Sequence, residues 1–100
     1  MEVKIFDQNN EKIAAIAGRV DTVTSSDLEN AIGQVWNEKS VNLVFDCAQM
    51  EYISSSGLRI VLKAHKQVTA AGGKFSLRNL NSEVRSVMDI TGFSRILTIE

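Results

Sequence analysis

Residues 41–45, VNLVF, are apolar at every position but Asn42. A strand that is apolar on both sides of its alternation must be covered on both faces, so this one belongs in the middle of a sheet with helices packed on it. The stretch that follows, Asp46 to Arg59 (DCAQMEYISSSGLR), reads as a polar turn that leaves this strand and reaches three serines and a glycine where a helical period begins. A helix start leaves about four backbone N–H groups without partners and carries the positive end of the helix dipole. That position suits a phosphate, and Ser54, Ser55 and Ser56 are each candidates to carry one.

The rest of the chain supplies the layers around this strand. Val3 and Ile5 alternate with polar neighbours, the run DQNN follows, and KIAAIAG returns, which predicts an antiparallel hairpin with strands over 2–6 and 12–17. Leu28, Ala31, Ile32, Val35 and Trp36 fall at helical spacing. Ser26 and Glu29 fit a capping box there, with Thr24 or Ser25 as alternative caps. Beyond the serines, Leu58, Val61, Leu62, Val68 and Ala71 make a second apolar stripe that stops at Gly72-Gly73. Lys74 to Arg78 is a short strand. Asn81 or Ser82 caps a third helix bearing Val84, Val87, Met88 and Thr91, which ends at Gly92 with Phe93 folding back, and Ile96, Leu97 and Ile99 form a last strand. The expected order is β-β-α-β-α-β-α-β, a small α/β fold with a mixed sheet: parallel in the middle, antiparallel in the first hairpin. Functional crevices in such folds lie at the carboxyl ends of the strands, where this connectivity gathers Asp21 and Asp46 around the serines.

Composition narrows the function. One hundred residues, 44% of them hydrophobic, suit one core, and no Pro, Gly or Ser-rich shift marks a linker, so residues 1–100 read as a single domain. Eleven basic residues against twelve acidic give no general electrostatic reason to bind nucleic acid or anionic lipid. The longest apolar run, IAAIA at 13–17, is far short of the roughly 20 residues that span a bilayer, so a cytosolic protein without membrane insertion is expected. A lone Cys47 and a lone His65 offer no metal-site spacing. Cys47 reads as a small packing residue and His65 as a half-buried helix histidine, while Trp36 and Met88 belong to helical stripes and need no cofactor.

In combination, Gly18-x-x-Asp21, Asp46 at the end of the apolar strand, Tyr52-Ile53-Ser54-Ser55-Ser56-Gly57-Leu58, Gly72-Gly73 and Thr91-Gly92-Phe93 resemble the STAS family, named for sulfate transporters and anti-sigma factor antagonists, over nearly the whole chain. The resemblance implies the STAS, or SpoIIAA-like, fold. It also implies the role of the stand-alone bacterial members, in which the serine or threonine immediately before the glycine is phosphorylated by an anti-sigma factor that is also a serine kinase. That position here is Ser56, with Ser55 the second choice. Asp21, Asp46, Ser54, Ser55, Ser56, Gly57 and Arg59 are then the partner-binding set, with a phosphoserine phosphatase as a further partner. Ser54 replaces the aspartate that often opens this turn in the family, and Asp46-Cys47-Ala48 replaces the frequent D-L-S.

On this reading the protein is an anti-sigma factor antagonist, a kinase substrate and not an enzyme. The bare residues also allow the serines to be simple helix caps, Asp21 and Asp46 to be solvated turn carboxylates or ligands of a nucleotide-borne magnesium ion, and Arg59 to be a solvated surface side chain. An adaptor subunit in a lipid-transport or stress-signalling assembly fits the family as well, without phosphate chemistry. A serine hydrolase needs a base beside its nucleophile, whereas SSSG is not the G-x-S-x-G elbow and the only histidine has no evident route to Ser56.

Overall fold

The computed structural model describes residues 1–33 and 42–100. Two strands, β1 (Glu2–Gln8) and β2 (Glu11–Val20), form the expected hairpin, in register from Glu2 opposite Ala17 to Gln8 opposite Glu11. Its two-residue turn holds Asn9 and Asn10 at φ 54° and 65°. Positive φ at both central positions matches the right-handed twist of the strands, and asparagine tolerates it better than most side chains. Both strands outrun the ranges expected from sequence.

Next come α1 (Ser25–Gly33), β3 (Leu43–Ile53), α2 (Ser55–Ala70), β4 (Phe75–Arg78), α3 (Ser82–Thr91), a single turn α4 (Phe93–Ile96), and β5 (Thr98–Ile99). The sheet order is β1-β2-β3-β4-β5, with every pair after the first hairpin parallel. This is the mixed α/β sheet the sequence predicts, and β3 is its central strand. Two expectations fall on residues outside those described: Val35 and Trp36 in the first helix, and Val41 at the start of the central strand. The last element departs from expectation. Phe93–Ile96 is helical, so only Thr98 and Ile99 pair as a strand.

Leu43, Phe45, Cys47, Met50 and Ile53 of β3 share one hydrophobic cluster with Leu28 and Ile32 of α1, Val61, Ala64 and Val68 of α2, and Val84 and Met88 of α3. The register pairs Ile13 with Val44, and both are buried, yet neither belongs to that cluster. Side chains alternate along a strand, so these two close the opposite face. The start of β3 is thus covered on both sides, as its composition requires.

The polar turn expected after Phe45 is instead strand. β3 continues to Ile53, and its pairing with β2 shifts register twice, between Ala15 and Ala17 and between Gly18 and Arg19. Each shift gives β3 one extra residue, a bulge. The buried positions therefore run Cys47, Met50, Ile53, with a spacing of three instead of two.

Helix ends follow local chemistry. Asn81 Oδ1 accepts the Val84 N–H at 2.8 Å at the start of α3, which ends at Gly92 with φ 81°. α2 ends where the Gly73 N–H donates to the Val68 carbonyl at 2.9 Å and Gly72 takes φ 85°. The capping box expected at Ser26 and Glu29 does not form: α1 begins at Ser25, and Glu29 pairs instead with Lys63 of α2.

Candidate functional site

The serine turn sits where β3 hands over to α2. Ser54 donates its N–H to the Val20 carbonyl at 2.8 Å, which ties the end of β3 to the end of β2. Its hydroxyl accepts the Gly57 N–H at 3.3 Å, which makes Ser54 the N-cap of α2. Ser54 is thereby committed to structure. Gly57 packs tightly on the strand ends, since a β-carbon there would lie 2.7 Å from both Ile53 Cγ1 and Val20 Cγ1. With the first turn pressed onto the strand ends, Ser55 is exposed and Ser56 half-buried at the rim. Among the described residues neither hydroxyl is engaged in a hydrogen bond.

Arg59 is exposed in the first turns of α2 and makes no ion pair among the described residues. It follows Ser56 by three positions and Ser55 by four, the spacings at which helical side chains meet.

Asp21 lies beside this rim, directly after Val20. Its Oδ1 accepts the N–H groups of Val23 and Thr24, each at 3.0 Å. The Thr24 N–H chiefly holds its carboxyl below the usual range. Partial burial opposes this, and the Val23 N–H, the Thr24 hydroxyl and the charge of Arg19 add to the lowering. Asp21 is therefore an anion whose first task is to cap the turn into α1.

Asp46 is not at the serine turn, and the expected gathering of two carboxylates around the hydroxyls is corrected here. The residue lies within β3, paired with Ala15 and with Arg78 of β4, seven residues before Ile53. That is about 20 Å of extended chain. Its Oδ1 accepts the Ala48 N–H and the Asn79 side-chain amide, both at 3.1 Å, while Oδ2 accepts Arg78 Nε at 3.3 Å and Nη2 at 3.2 Å. Partial burial pushes this carboxyl upward, but the Asn79 amide, the Ala48 N–H and the Arg78 guanidinium outweigh it and leave the group below the usual range. With its acceptors filled, Asp46 serves the sheet: it also steadies Asn79, which sits at φ 61°.

Sequence reasoning passed over one contact. Arg19 and Tyr52 are cross-strand partners, and the guanidinium lies 4.4 Å from the ring centroid. An arginine opposite a tyrosine is a readable signal once register is known, but the bulges in β3 conceal the register. His65 is half-buried on α2, edge-on to Phe75 with centroids 6.1 Å apart. Cys47 is 2% exposed, and burial pushes its thiol up to about 12.

The mixed sheet thus presents a serine-capped helix start at the carboxyl ends of two parallel strands. The STAS domain model matches residues 2–100, and the chain belongs to the STAS domain family. It is similar to BtrV of Bordetella bronchiseptica, 33% identical over 87 residues that make up 87% of this chain and 75% of that one. It is also similar to the anti-sigma-F factor antagonist RsfB of Mycobacterium tuberculosis, 30% identical over 93% of this chain and 75% of that one. The crystal structure of an anti-sigma factor antagonist from Mycobacterium paratuberculosis superposes with a TM-score of 0.88 at 25% identity, covering 98% of this chain and 83% of that one. Among the described residues, no helix is long and apolar enough to cross a membrane.

Proposed function

We propose that this protein is a cytoplasmic anti-sigma factor antagonist. Unphosphorylated, it binds an anti-sigma factor that is also a serine kinase, and so frees the sigma factor. Phosphorylated at Ser56, it lets go, and a phosphoserine phosphatase returns it to the binding form. The protein is a substrate and a ligand, not an enzyme. The name of RsfB supports the partner class. The observation that carries the switch is the division of labour in the serine turn: Ser54 caps the helix, while the Ser56 hydroxyl stands at the rim without a hydrogen-bond partner among the described residues.

In the transfer, Ser56 Oγ forms a bond to the γ-phosphorus of ATP and the bond to the β–γ bridging oxygen breaks. ADP leaves, and the hydroxyl proton passes to a base of the kinase. The product carries about −1.5 to −2 charges at neutral pH. On the protein alone this charge is well tolerated, because it sits at the positive end of the α2 dipole. In a docked interface it is not. Burying an unpaired charge there costs about 2–5 kcal/mol, roughly thirtyfold to several thousandfold in affinity.

Incubation with the cognate kinase and ATP, read by intact mass, tests the proposal. Addition of one phosphate to the wild type and none to Ser56→Ala is expected, together with release of the partner from the phosphorylated form. A phosphate that survives Ser56→Ala moves the acceptor to Ser55. Partner binding with no phosphate transfer at all favours the adaptor role.

A further inference from the structure

The turn between β2 and α1 is held by a dense set of hydrogen bonds among residues 19–25. Asp21 Oδ1 takes the Val23 and Thr24 N–H groups, each at 3.0 Å. The Thr24 hydroxyl takes the Asp21 N–H at 3.0 Å and donates to the Arg19 carbonyl at 2.8 Å. The Ser25 N–H reaches the Asp21 carbonyl at 2.9 Å. The apolar side chain this frame turns outward is Val23, which is 81% exposed.

A single exposed valine is ordinary on a protein surface. Two features set this one apart. The frame fixes it, so little conformational freedom is lost when it is buried against a partner. The turn that carries it also leaves the sheet beside the serine turn, since Val20, three residues earlier, accepts the Ser54 N–H at 2.8 Å. Ile90, 85% exposed, is the contrasting case. It lies at the far end of α3 from Asn81, whose side chain is tied to the Met50 carbonyl of β3. The turn that carries Val23 is acidic, with Asp21 before it and exposed Asp27 after it; of the nearby cations, Arg19 lies over the Tyr52 ring and Arg59 belongs to the first turns of α2.

We propose that Val23 is the apolar anchor by which the unphosphorylated protein docks on its anti-sigma factor, entering an apolar pocket that the partner rims with lysine or arginine. This rests on the function proposed above and adds a second point of contact, so that the phosphate on Ser56 acts beside an interface that Val23 helps to hold. A valine is a small anchor, and its burial changes affinity about tenfold.

The test measures binding of the purified anti-sigma factor kinase to wild type, Val23→Ala, Val23→Lys, Ile90→Ala and Ser56→Asp, with a melting curve for each. Val23→Ala is expected to weaken binding about fivefold to tenfold. Val23→Lys is expected to weaken it more than about thirtyfold, more strongly at low salt, because it sets a cation against a cationic rim. Ile90→Ala stays within about twofold of wild type. The Val23 and Ile90 variants melt with the wild type, since those two side chains are exposed, which separates lost docking from lost folding. Binding of both Val23 variants within twofold of wild type, while Ser56→Asp still releases the partner, overturns the anchor and leaves the switch standing. An equal loss in Ile90→Ala also overturns it. If Ser56→Asp binds as the wild type does, the proposed function falls and this inference falls with it.

Discussion

Gly57 packs against Ile53 so closely that a β-carbon on it would stand 2.7 Å from Ile53 Cγ1, and the same distance from Val20 Cγ1. Those contacts are with branched side chains that are 2% and 0% exposed, so neither has room to yield. The glycine beside Ser56 is therefore demanded by packing, and its position sets how far the first turn of α2 stands from the sheet. Gly57→Ala is expected to destabilise the fold by about 1–3 kcal/mol through overpacking, despite the better helix propensity of alanine. In a melting experiment that is a fall of several degrees, at about 4–8 °C per kcal/mol for a chain of this size. A melting temperature at or above that of wild type would show that the strand ends relax at no cost.

The three serines separate into one structural residue, Ser54, and two, Ser55 and Ser56, whose hydroxyls have no hydrogen-bond partner among the described residues. Ser54→Ala removes the acceptor for the Gly57 N–H and should cost about 1 kcal/mol in chemical denaturation. Ser56→Ala removes a hydroxyl with no hydrogen-bond partner among the described residues, so its cost should stay within about 0.5 kcal/mol. Phosphate incorporation is expected to follow the reverse order, kept in Ser54→Ala and lost in Ser56→Ala. A large stability loss in Ser56→Ala would place that hydroxyl in the fold instead of on its rim.

Asp46, through the hydrogen bonds it accepts, gives stability a pH dependence whose sign follows from them. Its carboxyl lies below the ordinary range in the folded protein, despite partial burial, because Asn79, the Ala48 N–H and Arg78 favour the anion. The unfolded chain then binds the proton at higher pH than the folded one. The stabilisation is fully present above about pH 4 and is lost as pH falls through the lower folded value. Urea midpoints measured from pH 7 down to pH 2 should fall more steeply for wild type than for Asp46→Asn. At pH 7, Asp46→Ala should cost about 1–3 kcal/mol, since it strands the Arg78 and Asn79 donors. Phosphorylation of Ser56 should be untouched by either change. Parallel pH curves for the wild type and Asp46→Asn would remove the carboxylate from this account.

What the sequence disclosed and what it hid follow from how far apart the determining residues lie. The hairpin, the stop at Gly72-Gly73, the Asn81 cap and the serine turn are legible because turn and cap residues act on backbone groups within a few positions of themselves. The course of β3 is not. Two bulges set its buried positions three apart at Cys47, Met50 and Ile53, and a search for alternation stops at Phe45. That error carried Asp46 to the wrong place, because ending the strand early moved its carboxylate to the strand terminus. The partner that would have corrected it, Arg78, is 32 residues away and is brought alongside only by the parallel pairing of β3 with β4. The role of Gly57 was hidden for the same reason: a glycine in a first turn reads as permissive, and only the packed strand ends show it to be required.

Displacing Asp46 changes the expected consequence of phosphorylation. A carboxylate about 20 Å along the strand lies beyond the roughly 8 Å over which salt screens charge at physiological strength, so it does not oppose a phosphate on Ser56. Asp21 remains as the anion on this rim, against two favourable terms, the N-terminal dipole of α2 and Arg59 three residues on. Arg59 makes no ion pair among the described residues and is free to meet the phosphate. The phosphorylated protein is therefore expected to be as stable as the unmodified one or up to about 2 kcal/mol more so in low-salt urea denaturation, with the gain shrinking at high salt. Arg59→Gln should remove about 0.2–0.5 kcal/mol of that gain while leaving the unmodified protein unchanged. Such an outcome places the switch in the interface, where the charge meets the partner, and not in an unfolding of the domain. A phosphorylated form that is less stable than the unmodified one would show Asp21 repulsion to be dominant and would make release a consequence of a loosened turn.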